Sequence, residues 1–202
     1  EAWKTNVVGT LNVLRAAQSV GVTTFVNIST DKAANPTSVL GHSKRVAEKL
    51  TAWMAESTGQ RYLSVRFGNV MGSRGSAPLT FMRQIERGGP VTITHPDMMR
   101  YFISIPEAVS LVIQAGTFGG RGHIYMLDMG QEINMLELAE RMIRLRGLRP
   151  GDDIEVIFTG ARPGEKLREE LVADFEKMDS TEHPKVMRLS ATSEVTEAEI
   201  RR

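Results

Sequence analysis

Three consecutive residues carry side chains that move protons: a hydroxyl at Thr30, a carboxyl at Asp31 and an amine at Lys32. They follow Ser29 and the β-rich run Thr23-Thr24-Phe25-Val26-Asn27-Ile28, which reads as a short buried strand. A positioned carboxylic acid can give up a proton and a neutral amine can take one. Further along, Lys44 falls in the early turns of a helix expected from about Ser38 to Thr58. A lysine there can hold a ribose, and its charge lowers the pKa of a neighbouring hydroxyl. Each residue alone is also compatible with a turn, a helix cap or a solvated lysine. Their common place just beyond a strand is what points to chemistry, because ligands in doubly wound sheets sit at the C-terminal ends of strands.

The elements that must position these groups follow from apolar period and punctuation. Residues from Ala2 to about Ser19 carry Val7, Val8, Leu11, Leu14 and Ala17 on one stripe, a helix that Gly21 stops. The strand, the helix from about Ser38 and a second strand at Tyr62–Phe67 come next, then a Gly- and Ser-rich loop from Gly68 to Pro78. A helix is expected from about Leu79 to Arg87. Beyond Gly88-Gly89-Pro90 the elements shorten. Strands are expected at Val91–Thr94, Met99–Ile103, Tyr125–Asp128 and Ile154–Phe158. Helices are expected from Pro106 to about Ala115, from Met135 to Arg146 and, briefly, from Lys166 to Leu171. Residues from about Ser180 are polar and read as peripheral. Alternation of helix and strand at βα spacing implies an α/β fold with a doubly wound parallel sheet, and the second part a smaller α+β lobe. The division expected is 1–80 for the first and 81–202 mainly for the second.

Composition narrows the function. The chain has 202 residues, 41% hydrophobic and 24% charged, which suits a globular fold and argues against disorder, collagen and coiled coil. Lys plus Arg is 25 and Asp plus Glu 24, so bulk charge gives no footing for nucleic acid or an anionic membrane. There is no cysteine, which excludes disulfides, thiol nucleophiles and Cys-bound zinc. The four histidines show no metal-ligand spacing, so no metal is expected. No apolar run approaches the roughly 20 residues of a membrane span. The methionines at 98, 99, 126, 129 and 135 read as core filler.

The motifs taken together resemble the extended short-chain dehydrogenase/reductase family. The nearest branch is that of the CapD-like polysaccharide biosynthesis proteins and UDP-N-acetylglucosamine 4,6-dehydratases. Asn6-Val7-Val8-Gly9-Thr10-Leu11-Asn12-Val13 is similar to the family's helix before the catalytic strand. Ser29-Thr30-Asp31-Lys32-Ala33 with Asn35-Pro36 is similar to its catalytic loop. Arg66-Phe67-Gly68-Asn69-Val70, Gly72-Ser73-Arg74-Gly75-Ser76, Thr94-His95-Pro96, Arg100-Tyr101-Phe102 and Arg162-Pro163-Gly164-Glu165-Lys166 complete the series. One position departs from it. The family's Tyr-x-x-x-Lys motif has its tyrosine where this chain has Leu40, which exchanges no proton; membrane-anchored members of the branch often carry methionine there.

The resemblance implies an enzyme, a lyase that oxidises a UDP-hexosamine at C4, removes the C5 proton with loss of the C6 hydroxyl as water, and returns hydride to C6. It implies NAD or NADP as cofactor, with Ser29, Lys44 and Phe67 on the cofactor side. Thr30 would orient or deprotonate the C4 hydroxyl, Asp31 would be the acid at O6, and Lys32 the base at C5. The UDP-sugar would meet Asn69, Ser73, Arg74 and Ser76, with Arg100 and Arg162 on the diphosphate and Glu165 on a uridine ribose hydroxyl; arginine suits such bidentate recognition. The alternatives are a 4-epimerase of the same fold and a non-catalytic sugar-nucleotide-binding module. Asp31-Lys32 argues against an epimerase, which needs no acid and base at C5 and C6.

By the same resemblance the chain starts at the helix before the catalytic strand. The phosphate-binding first half of the Rossmann sheet, with its Gly-x-x-Gly-x-x-Gly turn, is then expected upstream. The isolated segment is accordingly expected to hold no dinucleotide and to be inactive. The expected location is the cytoplasm, with no membrane contact from this segment and an anchor to the inner membrane from spans upstream in the full-length protein. The first helix and the Ser38–Thr58 helix occupy the family's dimer-forming positions, which implies a homodimer or higher oligomer; the alternative is that their apolar stripes cover the sheet.

Overall fold

The computed structural model describes residues 1–191. A π-helical stretch, Lys4–Gly9, runs into α1 (Thr10–Ser19), followed by β1 (Thr24–Ile28), a 3-10 turn at Asp31–Ala33, α2 (Val39–Thr58), β2 (Arg61–Arg66) and β3 (Asn69–Val70). Then come α3 (Ala77–Glu86), β4 (Val91–Ile93), β5 (Met99–Arg100), β6 (Phe102–Ile103), α4 (Ile105–Thr117), β7 (Ile124–Leu127) and β8 (Ile133–Asn134). The chain continues through α5 (Met135–Leu145), β9 (Val156–Phe158), β10 (Glu176–Ser180) and β11 (Val186–Ala191). The elements form two compact units, neither continuous in sequence. The first comprises Glu1–Phe67, Ala108–Asp128 and the described residues from Glu170; the second comprises Gly68–Glu107 and Met129–Glu169. Among the described residues no helix is long and apolar enough to cross a membrane.

The first unit holds a five-stranded sheet in the order β1-β2-β7-β11-β10. β1, β2 and β7 run parallel, with Val26 opposite Leu63 and Val65 opposite Tyr125, so the expected α/β class with a parallel sheet holds. The middle strand explains its own sequence. Tyr62, Leu63 and Val65 are fully buried, as a parallel strand covered on both faces requires. On one face, Leu14 and Ala17 of α1 and Leu50, Met54 and Ala55 of α2 pack with Tyr62. α2 begins where the Ser38 hydroxyl accepts the Gly41 N–H and ends at Gly59 in the left-handed conformation, with φ 69°.

Two expectations fail. Residues near and beyond Ser180 are not peripheral: β11 pairs antiparallel with β7 and with β10, and Val186 and Leu189 are buried. The edge strand β10, Glu-Lys-Met-Asp-Ser, escapes recognition because after the buried Glu176 its side chains are mostly exposed and polar, with Asp179 accepting from Arg188 across the hairpin at 3.2 Å. Residues from Thr192 onward lie outside the described part. The short helix expected at Lys166–Leu171 is also absent. The Leu167 carbonyl instead accepts the Met99 N–H at 2.8 Å and the Arg100 guanidinium at 3.2 Å, bonds that take the place of a helical one.

The second unit is built on short strand pairs, β3 with β6, β4 with β9 and β5 with β8. Its core joins Phe81 and Ile85 of α3, Val91 and Ile93 of β4, Ala139 and Ile143 of α5, and Met98, Met135 and Ile154. α5 starts at Asn134, whose side-chain oxygen accepts the N–H groups of Leu136 and Glu137. Met98, Met126, Met129 and Met135 are buried, as core-filling methionines should be.

One polar cluster lies inside the first unit. The fully buried Arg66 guanidinium donates to Glu48 through Nε and Nη2, both at 2.7 Å, and to Glu176 through Nη1 at 2.7 Å and Nη2 at 2.9 Å. Arg45 closes the ring, 2.5 Å from Glu176 and 3.4 Å from Glu48, and its guanidinium lies over the Phe175 ring at 4.8 Å. Two cations and two anions cancel. Burial pushes the Glu176 carboxyl up, but the Arg66 hydrogen bonds and charge, the Ala173 N–H and Arg45 outweigh it and hold the group at about 2, against an ordinary 4.5. For Arg66, the two carboxylates likewise outweigh burial and raise the pKa.

A folded-state pKa below the unfolded one means that Glu176 stabilises the fold above about pH 4.5 and that this contribution is lost as pH falls towards 2. At roughly 1.4 kcal/mol per pH unit, it amounts to about 3 kcal/mol at neutral pH. Urea denaturation of Glu176→Gln should therefore show a loss of that order at pH 7, with the gap to wild type closing on acidification. A second expectation concerns α2. A Cβ at the buried Gly41 would stand far inside contact with the Lys32 carbonyl oxygen and 3.0 Å from Pro36 Cβ. Gly41→Ala should destabilise by roughly 1–3 kcal/mol, seen as a lower thermal midpoint. The exposed Val39→Ala should leave the midpoint where it is. An unmoved midpoint in Gly41→Ala would show that the turn yields freely.

Candidate active site

The first unit gathers Ser29, Thr30, Asp31, Lys32, Lys44 and Phe67 around the C-terminal ends of β1 and β2. The Ser29 N–H donates to the Val65 carbonyl at 2.7 Å and the Asp31 N–H to the Phe67 carbonyl at 3.1 Å, so the chain beyond β1 keeps following β2. Thr30 is extended, at φ −149°, and caps the 3-10 turn. Its hydroxyl donates to Asp31 Oδ1 at 2.9 Å. Lys32 Nζ donates to the same oxygen at 2.9 Å. Asp31 is fully buried, and its second oxygen, Oδ2, meets no hydrogen-bond partner among the described residues. Hydroxyl, carboxyl and amine are thus in direct contact, with one buried acceptor left over. An orphaned buried oxygen is costly unless a ligand or a proton completes it.

Lys44 is half-buried in the second turn of α2, and its Nζ donates to the Ile28 carbonyl at 3.0 Å. Burial lowers its pKa, and the Glu48 charge one turn away opposes that fall. The ammonium therefore stands at the end of β1 with further donor capacity, which fits a ribose hydroxyl. Ser29 differs from its expected cofactor-facing role: it is buried, and its hydroxyl donates inward to Glu48 at 2.5 Å. Phe67 contributes its carbonyl to the Asp31 N–H. Leu40, at the position of the family tyrosine, is 44% exposed in the first turn of α2. Asn35, at φ 40°, donates to the Glu170 carboxylate and to Asp174 at 3.1 Å, and accepts the Asp174 N–H at 3.4 Å. Glu48 and Glu176 are supports that sequence reasoning missed, and Arg66 and Asn35, quoted there only within motifs, were given no such role. A charged residue inside the otherwise apolar Tyr62–Phe67 run was the one signal for them.

The second unit carries the other expected residues. Arg100 is buried and turned to protein groups: Nη1 donates to the carbonyls of Met99 at 2.7 Å and Leu167 at 3.2 Å, and Nη2 approaches Glu165 at 3.4 Å. Glu165 also accepts the Thr94 hydroxyl at 3.2 Å and the Arg162 N–H at 3.0 Å. The Thr94, Arg100, Arg162 and Glu165 motifs therefore converge through one carboxylate. Asn69 donates through its side chain to the Tyr101 carbonyl at 3.2 Å. Ser73 donates to the Val70 carbonyl at 2.8 Å, Arg74 is exposed, and Ser76 stands at the N-cap of α3 with a buried hydroxyl lacking a partner among the described residues.

Comparison with known proteins matches this architecture. Residues 1–191 match the family model described as "Polysaccharide biosynthesis protein". The chain is 50% identical over 173 residues to the capsular polysaccharide biosynthesis protein CapD of Staphylococcus aureus, covering 85% of this chain and 29% of that protein. It is 41% identical over 180 residues to a UDP-glucose 4-epimerase of Rickettsia rickettsii, covering 87% of this chain and 51% of that protein. The X-ray structure of Pen from Bacillus thuringiensis superposes with a TM-score of 0.82 at 32% identity, covering 93% of this chain and 59% of that one. The chain thus spans between about a third and a little over half of these relatives' lengths. On the family match, the chain belongs to the polysaccharide biosynthesis protein family of the extended short-chain dehydrogenase/reductases.

Proposed function

We propose that the full-length protein containing this chain is an NAD(P)-dependent nucleotide-sugar 4,6-dehydratase acting on UDP-N-acetylglucosamine or a similar UDP-hexosamine. The observation that carries this reading is the Asp31–Lys32 pair, an acid and a base in hydrogen-bond contact beside Thr30, with a buried carboxylate oxygen left open. The chemistry a dinucleotide would supply there is hydride acceptance and return. Lys44 would hold its ribose at the end of β1.

The residues' own work is proton transfer. Asp31 must give a proton to O6, and Lys32 must take one from C5. In an ion pair both groups are in the opposite state. A single proton moved from Lys32 Nζ to Asp31 Oδ1 along their 2.9 Å hydrogen bond converts the pair into carboxylic acid and amine, with no change in net charge. Thr30, bonded to the same oxygen, is the hydroxyl that would orient the C4 hydroxyl, in place of the tyrosine that Leu40 replaces. The Glu165–Arg100–Arg162 motif of the second unit would meet the uridine diphosphate.

A 4-epimerase is the second reading, favoured by the name of the Rickettsia relative. The full-length protein, incubated with UDP-N-acetylglucosamine and followed by mass and by sugar stereochemistry, distinguishes the two. Loss of one water supports the dehydratase. Unchanged mass with inverted C4 supports the epimerase, and binding without turnover supports a non-catalytic module. Lys32→Ala should lower the rate of water loss by roughly 10²–10⁴-fold with the protein still folded. A fully active variant would remove Lys32 from the role of base.

A further inference from the structure

We propose that Ser29 is a positioning residue of this reaction: its hydroxyl, held by Glu48, fixes the strand end that carries Thr30, Asp31 and Lys32, and Arg66 with Glu176 fixes Glu48. The inference rests on the function proposed above and adds to it a part for the buried charges.

Three observations carry it. The first is the Ser29–Glu48 hydrogen bond, at 2.5 Å between buried groups, the length of a charge-assisted O–H···O⁻ contact. The second is spacing. Lys44 and Glu48 share one face of α2, one turn apart, and grip successive residues of the strand end: Lys44 holds the Ile28 carbonyl and Glu48 the Ser29 hydroxyl. The third is the end of β2, where three consecutive residues hold the same segment. The Val65 carbonyl takes the Ser29 N–H and the Phe67 carbonyl the Asp31 N–H, while Arg66 between them anchors Glu48.

The energetics point the same way. Buried ion clusters are often no more stabilising than well-packed apolar side chains of equal volume. What an apolar replacement would lack is a fixed, directional acceptor aimed at Ser29. Each Glu48 oxygen is already bonded to Arg66, so its carboxylate cannot rotate without breaking those bonds. Removing the Ser29 hydroxyl leaves those Arg66 bonds in place. Ser29→Ala therefore isolates the link from the cluster's structural role.

The test uses the full-length protein with Ser29→Ala and Ser29→Thr, the second keeping the hydroxyl. Activity on UDP-N-acetylglucosamine and amide hydrogen exchange are both measured. Ser29→Ala is expected to lower kcat at least about tenfold while KM for the sugar nucleotide stays within about twofold, since displacement of reacting groups lowers the rate without removing binding contacts. Exchange of the amides of residues 30–34 is expected to rise at least about fivefold, with residues 61–66 unchanged. Ser29→Thr should restore most of both. Wild-type kcat in Ser29→Ala, or unchanged exchange in residues 30–34, overturns the proposal. So does a general loss of protection across both segments that Ser29→Thr leaves unrelieved, which would mark a purely structural contact. If wild type neither dehydrates nor epimerises the sugar, the proposed function fails, and the exchange comparison still decides whether Ser29 positions the loop.

Discussion

A single guanidinium holds two carboxylates inside the first unit, and much else depends on it. Arg66 has no exposure, and four hydrogen bonds of 2.7–2.9 Å run from it to Glu48 and Glu176. A lone buried arginine would be strongly unfavourable, and so would either carboxylate. Together with Arg45 they form a neutral set, and the set joins parts of the chain far apart in sequence. Glu48 belongs to the middle of α2, Arg66 to the end of β2, and Glu176 to the start of β10. The hairpin β10–β11 is therefore fastened to the sheet at two places, by its pairing with β7 and by this carboxylate.

The same cluster explains why the strand end can carry chemistry. Beyond β1 the chain follows β2 only through the Ser29 and Asp31 N–H groups before it turns at Asp31–Ala33, and side chains add further support. Ser29 has Glu48 and the Val65 carbonyl, Asp31 has the Phe67 carbonyl, and the Lys32 carbonyl is closed in by Gly41. Glycine is needed at 41 because the first turn of α2 lies against that carbonyl with no room for a side chain. Asn35 ends the segment in a left-handed conformation, tied to Glu170 and Asp174. Asparagine is among the few residues that adopt it at little cost.

The legible part of this arrangement was the local part. Ser29 through Lys32 are adjacent in sequence, the strand before them is β-rich, and Lys44 follows on the next helix, so their convergence needed only the order of elements. The long helices were legible from their apolar stripes, and α2 from Ser38 at its start and Gly59 at its end. The supports were not legible. Glu48 looks like any helix glutamate, and Glu176 lies in a polar run whose pairing with β11 has no alternating signature. Ser29 could be placed at the strand end but not aimed: whether its hydroxyl faces a cofactor or the interior depends on Glu48, which sequence order alone does not put beside it. Arg100 shows the same limit, its guanidinium committed to the carbonyls of Met99 and Leu167.

Asp31 and Lys32 show why such rigid support matters. In the proposed reaction their hydrogen bond would serve two states, an ion pair and a neutral acid–amine pair, with the proton on either side. Coulomb attraction holds the ions together, but in the neutral state only the weaker hydrogen bond and the backbone keep nitrogen and oxygen within reach. A loop free to relax would let the neutral pair separate and the ion pair would then be favoured by solvation. The bonds from Ser29 and Asp31 to β2 and from Ser29 to α2 oppose that separation, because none of them changes when the proton moves. Burial of Asp31 keeps water from replacing Lys32 as its partner. The charged cluster around Arg66 thus supports the Asp31–Lys32 pair without touching it: fixed charges in the interior hold the frame through Glu48 and Ser29.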